Sequence, residues 1–294
     1  MTTATTATPQ PADAKKLTDQ AIGKLTALAT LPEVTSRIIA TVEDPRSSAA
    51  QLHKIVSNDP VLVTRILKVV NSAFYGLPGQ VASVERAIVL LGLNAVKNIA
   101  VAASIGQMFR GVKLCEQYTA RDLWTHCLSV ACVSREIAKL AKLPLADEAF
   151  LAGMIHDVGV LVSLQTWPEQ LRTVCERASL GGRFIDLETS IIGVDHQTLG
   201  KALAAKWQFP ASCQLVAAQH HAPVESADAS RVLVNIVHAA DTLCCEAAAG
   251  FPLTARGQTT AHRALAAANI DPTLLDRVRG ALAQTLSQGT AIAA

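Results

Sequence analysis

Helix-start signals recur along the whole chain, and no apolar–polar alternation bounded by hairpin turns competes with them. Asn58-Asp59-Pro60 places a capping side chain before a proline whose fixed φ suits a first helical turn. Asp271-Pro272 repeats the device. Pro32 precedes an amphipathic run to about Val42, and Ser47 and Ser48 can cap a helix holding Leu52, Ile55 and Val56. From Val61 to Ala73, the residues Leu62, Ile66, Leu67 and Val70 form one stripe. Gly76, Pro78 and Gly79 then break the chain, Ser83 restarts it, Gly92 interrupts it, and a helix resumes to about Phe109. Further helices are expected over about 118–142, 147–165, 195–206, 211–221, 230–248 and 272–287. Gly181-Gly182, Pro210, Pro223 and Gly250 separate helices, and residues from Gln288 onward read as a frayed end.

Composition agrees with helices. Half of the 294 residues are apolar and 17% are charged, which excludes a disordered chain and supplies a core. Only 4% are aromatic, so the core must be Ala, Leu, Val and Ile, a mixture that favours helix over sheet. The length suits about two domains. Residues 1–114 carry 12 basic and 7 acidic side chains, whereas 115–294 carry 14 and 17, which supports a boundary near 111–116. The net charge of +2, with so few aromatics, speaks against nucleic acid as a partner. Arg65, Lys68 and Lys97 read as a solvated helix surface.

The seven cysteines (115, 127, 132, 175, 213, 244 and 245) include no CxxC pair. They are expected to be small buried hydrophobes in a reducing cytoplasm, with no disulfide framework. Residues 1–16 read as a disordered tail rich in Thr, Ala and Pro, without the basic start and apolar run of a signal peptide. No uncharged apolar run reaches 18 residues, so no membrane partner is expected.

The residues that can carry chemistry are His126, His156, Asp157, His196, His220, His221 and Asp241. Imidazole nitrogen with carboxylate oxygen suits iron, manganese, zinc or nickel, and a carboxylate-bridged pair of such ions can activate water against a phosphate ester. The alternative is a set of hydrogen-bonded core histidines. Neighbours on a helix point about 100° apart, so His156 and Asp157 share an ion only if the helix presents an edge or loosens at Gly159. His220-His221 sits at an expected helix end, where the splay relaxes, and His196 follows a capping Asp195. Asp122, one turn before His126, is a candidate ligand or outer partner, and His238 a candidate local partner of Asp241.

The order of these motifs resembles the HDOD domain, an output domain of bacterial signalling proteins related to the HD metal-dependent phosphohydrolases. The resemblance runs over about residues 20–250, through LPEV (31–34), DP (44–45), SNDP (57–60), NSAFYG (71–76) and AIVLLGL (87–93). It continues through LWTH (123–126), FLAGMIHDVG (150–159), DHQTLGKALAAKWQFP (195–210), QHHAP (219–223) and VHAAD (237–241). It implies that His126, His156, Asp157, His196, His220, His221 and Asp241 match metal-binding positions of catalytic HD relatives. Two departures weaken catalysis. The HD-GYP enzymes carry a lysine shortly after the His-Asp dyad, where this chain has Val160, and a Gly-Tyr-Pro stretch where it has APVESAD. Val160 can neither hold a phosphate nor donate a proton.

The expectation is therefore all-α: a tail over 1–16, an HDOD-specific bundle over 17–112 and an HD-like bundle over 113–290, the last two forming one unit. The expected function is bacterial signal transduction or regulation in the cytoplasm, through contact with signalling proteins. Its HD-like pocket is expected to be non-catalytic and open to a divalent metal (Fe, Mn or Zn) or a nucleotide. The rival is a metal-dependent phosphohydrolase acting on a nucleotide or cyclic dinucleotide. NSAFYG reads mainly as a helix end and turn, or else as a contact surface between the bundles or toward a partner. The sequence leaves the oligomeric state open.

Overall fold

The computed structural model describes residues 11–24, 33–41, 44, 46–72, 75, 77–222, 228–258 and 261–293. Among them there is no β-strand, only an isolated bridge between Lys113 and Thr119. The first bundle contains α2 (Glu33–Ala40), α3 (Ala49–Val56), α4 (Pro60–Val70), α5 (Val84–Leu91) and α6 (Leu93–Ile105). The capping signals act as read. Ser48 forms a capping box with Gln51, Asp59 caps α4 with Pro60 behind it, and Ser83 caps α5. Gly92 separates α5 from α6 at φ +88°. The middle of α6 is buried nearly all round, because α2 to α5 gather about it.

The second bundle is built on α7 (Ala120–Leu140), which packs against α8 (Ala146–Ile155), α14 (Ala229–Glu246) and α16 (Leu274–Ala293). Between them run α9 (Val158–Thr166), α10 (Pro168–Ser179), α11 (Phe184–Ile191), α12 (His196–Lys206), α13 (Ala211–Gln219) and α15 (Ala261–Ala267). One apolar core runs through both bundles. The seam is crossed by α6 against α8, where the buried Asn98 side chain donates to the carbonyl of Asp147 at 2.7 Å. Arg135 of α7 also reaches over the Tyr75 ring, 5.9 Å from its centroid.

Several expectations need correction. Residues 11–16 of the expected tail open a helix, α1 (Pro11–Lys24), while residues 1–10 lie outside the described residues. This helix packs on α9 and α12 of the second bundle, and Lys206 donates to the carbonyl of Ile22 at 3.0 Å. The helix expected over 147–165 is two helices. The expected frayed end continues α16 to Ala293. Lys97 is no solvated cation. It is 1% exposed, and its ammonium donates to the Thr41 carbonyl and the Ser47 hydroxyl, tying the α2–α3 loop to α6. The stretch Ala146–Thr166 is apolar and long enough to cross a membrane by length and composition, yet 89% of its window is buried among neighbouring helices. Leu31, Pro32, Val42, Pro45, Ala73, Phe74, Gly76 and Pro223, used in reading the sequence, lie outside the described residues.

Within NSAFYG, Asn71 has a clear structural task. Its amide donates to the carbonyl of Val81 at 2.9 Å and accepts from the Val81 N–H at 2.7 Å, pinning the chain beyond α4 back on that helix. Asn71→Ala should therefore cost about 1–2 kcal/mol in urea unfolding. Asn71→Asp, which keeps the acceptor and loses the donor, should fall between the two.

Candidate metal centre

The seven residues singled out in the sequence meet at one point in the core. His126 comes from the middle of α7, His156 and Asp157 from the junction of α8 and α9, and His196 from the first turn of α12. His220 and His221 follow the last turn of α13, and Asp241 projects from α14. Six of these side chains are 0% exposed and His221 is 6% exposed. The problem of the adjacent His156 and Asp157 is solved by breaking the helix between them, not by loosening at Gly159. Helix α8 ends at Ile155, Asp157 leaves helical geometry at φ −99° and ψ 13°, and α9 starts at Val158. Both side chains thus face the same interior. His220-His221 is splayed at a helix end, as expected.

The rings are held by one nitrogen and aimed by the other. Nδ1 of His126 lies 3.2 Å from the Ala249 carbonyl, that of His156 2.7 Å from Gly153, and that of His220 3.2 Å from Val216. A carbonyl only accepts, so each Nδ1 carries a proton, and in the neutral ring each Nε2 is a lone pair facing inward. His196 is held by Glu188, whose carboxylate meets its Nδ1 at 2.5 Å and its backbone N–H at 3.0 Å.

These nitrogens converge on two carboxylates. Oδ2 of Asp157 faces Nε2 of His156 at 3.3 Å and of His126 at 3.8 Å. Its Oδ1 faces Nε2 of His220 at 3.2 Å and of His196 at 3.5 Å. Asp241 Oδ1 lies 3.1 Å from His126 Nε2, and its Oδ2 3.7 Å from His221 Nδ1. Asp157 therefore belongs to two donor sets, one with His126 and His156, the other with His196, His220 and His221.

A lone pair opposite a carboxylate oxygen repels unless a proton or a metal ion lies between them. Both oxygens of Asp157, Oδ2 of Asp241 and Nε2 of His156 are buried without a hydrogen-bond partner. Buried polar groups without partners are costly, so this donor set fits divalent metal better than a hydrogen-bonded histidine core. Burial opposes charge on both aspartates, but the surrounding imidazoles, where protonated, outweigh it and hold both carboxyls well below the usual range. Burial likewise opposes charge on His196, yet Glu188 carries its imidazole up to about 9.

Sequence reasoning misplaced one residue and missed two. Asp122 does not reach the centre, because its carboxylate closes a capping box with Thr119 at the start of α7. His238 supports the centre from behind, with Nδ1 2.6 Å from the carbonyl of His220. Glu188 was not anticipated. Its one signal is that it lies four residues after Phe184, on the buried face of α11. Gln258, whose side-chain amide lies 2.7 Å from His221 Nδ1, carries no signal at all.

Two glycines admit the close approaches the centre needs. A Cβ on Gly159 would lie 1.9 Å from the carbonyl oxygen of His196, so only glycine lets α9 touch the start of α12. Gly250, at φ +72°, would clash with the backbone of Asp122 and His126. It lets the chain pass α7 closely enough for Ala249 to hold His126.

Comparison with known proteins places this arrangement in context. The profile of the HDOD domain matches residues 28–223. An uncharacterized protein of Treponema pallidum is 24% identical over 185 residues, spanning 61% of this chain but 35% of the relative's own length. Among solved structures, an HDOD domain protein of unknown function from Geobacter sulfurreducens superposes with a TM-score of 0.82 at 20% identity, over 96% of this chain and 99% of that one. A candidate phosphohydrolase from Shewanella amazonensis gives 0.75 at 22% identity, over 94% and 98%. At these identities the structural likeness is one of fold.

Gly159→Ala should wedge α9 from α12 and cost more than about 4 kcal/mol, or prevent cooperative folding, in thermal and urea unfolding. Gly280→Ala is its control. That position on α16 has nothing within 4 Å of an added Cβ, so the change should be neutral or stabilise by up to about 1 kcal/mol.

Proposed function

The chain belongs to the HDOD family, and on that premise we propose that it is a bacterial signalling protein, working in the cytoplasm through contact with partner proteins. In this reading the histidine–aspartate cluster holds divalent iron, manganese or zinc as an internal fastener, without turning over a phosphoester. The observation that carries it is the closure of the cluster. All seven donor side chains face inward, and none is more than 6% exposed. A phosphodiester must bring an oxygen to the metal, and its leaving group must escape. Val160, apolar and 0% exposed, stands where the resemblance to HD-GYP enzymes calls for a lysine.

A bound divalent ion would supply the positive charge that the facing lone pairs and carboxylates require. His126, His156, Asp157 and Asp241 would hold it on one side, and His196, His220, His221 and Asp157 on the other. The protein's own groups do the orienting: Glu188 and three backbone carbonyls fix the rings, so that little order need be gained on binding. Input arrives in this reading as metal occupancy or as a nucleotide near the same pocket, and output leaves as an altered surface for a partner. One feature favours the phosphohydrolase reading: the sharing of Asp157 between two donor sets suits two-metal hydrolysis.

Protein purified without oxygen or chelator should carry about one or two equivalents of iron, manganese or zinc. A His156→Ala, Asp157→Ala double variant should carry none. At a hundredfold excess over Kd the metal adds about 2.7 kcal/mol of stability, so chelation should lower the unfolding midpoint by several degrees. The metal-loaded protein should hydrolyse none of a panel of nucleotide and cyclic-dinucleotide esters. Turnover that disappears in Asp157→Ala would replace the signalling reading with the hydrolase, and folded wild-type protein without metal would remove the fastener.

A further inference from the structure

One donor at the centre is not among the histidines and aspartates. Cys245 lies one helical turn after Asp241 on α14, so both side chains leave the same face of that helix. Its Sγ donates to Oδ1 of Asp241 at 3.5 Å. The same oxygen faces Nε2 of His126 at 3.1 Å. The sulfur, a ring nitrogen of His126 and a carboxylate oxygen of Asp241 all lie within 4.8 Å of one another. The thiol is half-buried at the edge of the centre, whereas Cys127, next to His126, is fully buried and joins no such group.

We propose that Cys245 is a thiolate ligand of the ion held on the His126–Asp241 side. This rests on the metal reading of the cluster and goes beyond it by naming a sulfur donor. The thiol proton, which the hydrogen bond to Asp241 holds, is released to solvent when the ion binds, and a metal–sulfur bond forms in its place, with no change in oxidation state. A sulfur donor beside imidazole and carboxylate selects zinc or ferrous iron over magnesium or calcium. The centre then holds two unlike positions, one with sulfur and one with nitrogen and oxygen alone.

Cobalt(II) tests this in the full-length protein, stripped of metal and kept without oxygen. Visible ligand-field bands report binding, and an intense near-ultraviolet charge-transfer band reports a cobalt–sulfur bond. Wild type should show both. Cys245→Ser should keep visible bands and lose the charge-transfer band, and Cys127→Ser should keep both. As a second measurement, cobalt should protect Cys245 of the wild type from alkylation by iodoacetamide, read by mass spectrometry, so the inference stays testable if a variant misfolds. Visible bands without a charge-transfer band, or a band that survives in Cys245→Ser, would overturn the sulfur ligand and leave the metal centre standing. No visible bands in the wild type would overturn the metal centre itself.

Discussion

The Asp157 carboxylate is the interaction on which the second bundle turns. It is fully buried, neither oxygen has a hydrogen-bond partner, and four imidazoles from four parts of the chain face it. A buried carboxylate in such a setting is costly unless a cation neutralises it. The helices that deliver those imidazoles are therefore committed to one geometry. Displacing any of α7, α12 or α13 leaves part of this charge uncompensated in a medium where charge interactions are strong.

Keeping that geometry falls to parts that do not touch Asp157. Ala249, Gly153 and Val216 each lend a carbonyl, and Glu188 lends a carboxylate, to fix one nitrogen of a ring so that the other points inward. His238 braces His220 through its carbonyl. Gly159 and Gly250 contribute only the absence of a side chain, yet that absence brings His196 and His126 within range. The centre is preorganised by its surroundings, which is what metal ligands need if binding is not to be spent on ordering them.

Much of this was legible in the sequence, and the reason differs by residue. Helix starts at Ser48, Asp59, Ser83 and Asp195 were readable because capping is local: a side chain satisfies an N–H a few residues away. The seven donors were readable through their identity and order. The break between α8 and α9 was not, since Gly159, the strongest helix-disfavouring residue in MIHDVG, lies inside α9 and not at the break. It is imposed by the need to turn His156 and Asp157 to one interior, a tertiary demand that overrides propensity. Lys97 was misread for a related reason. Charge predicts exposure on average, but its partners, Thr41 and Ser47, lie about fifty residues away and only the fold brings them near. Glu188 and Gln258 show the same limit, because their roles exist only relative to a histidine on another element.

One link between the first bundle and this centre is a short rod. Helix α8 packs on α6 near its start, where Asn98 holds the Asp147 carbonyl, and it ends directly before His156. Ten residues of helix are about 15 Å long and carry little freedom to bend. His156 cannot shift along the α8 axis without either breaking the Asn98 bond or carrying α6 with it. Because α6 is the element around which α2 to α5 pack, a displacement there moves the first bundle as a body rather than a single side chain. The helix that carries His156 into the buried centre thus also ties that centre to a bundle whose own residues contribute none of the seven donors.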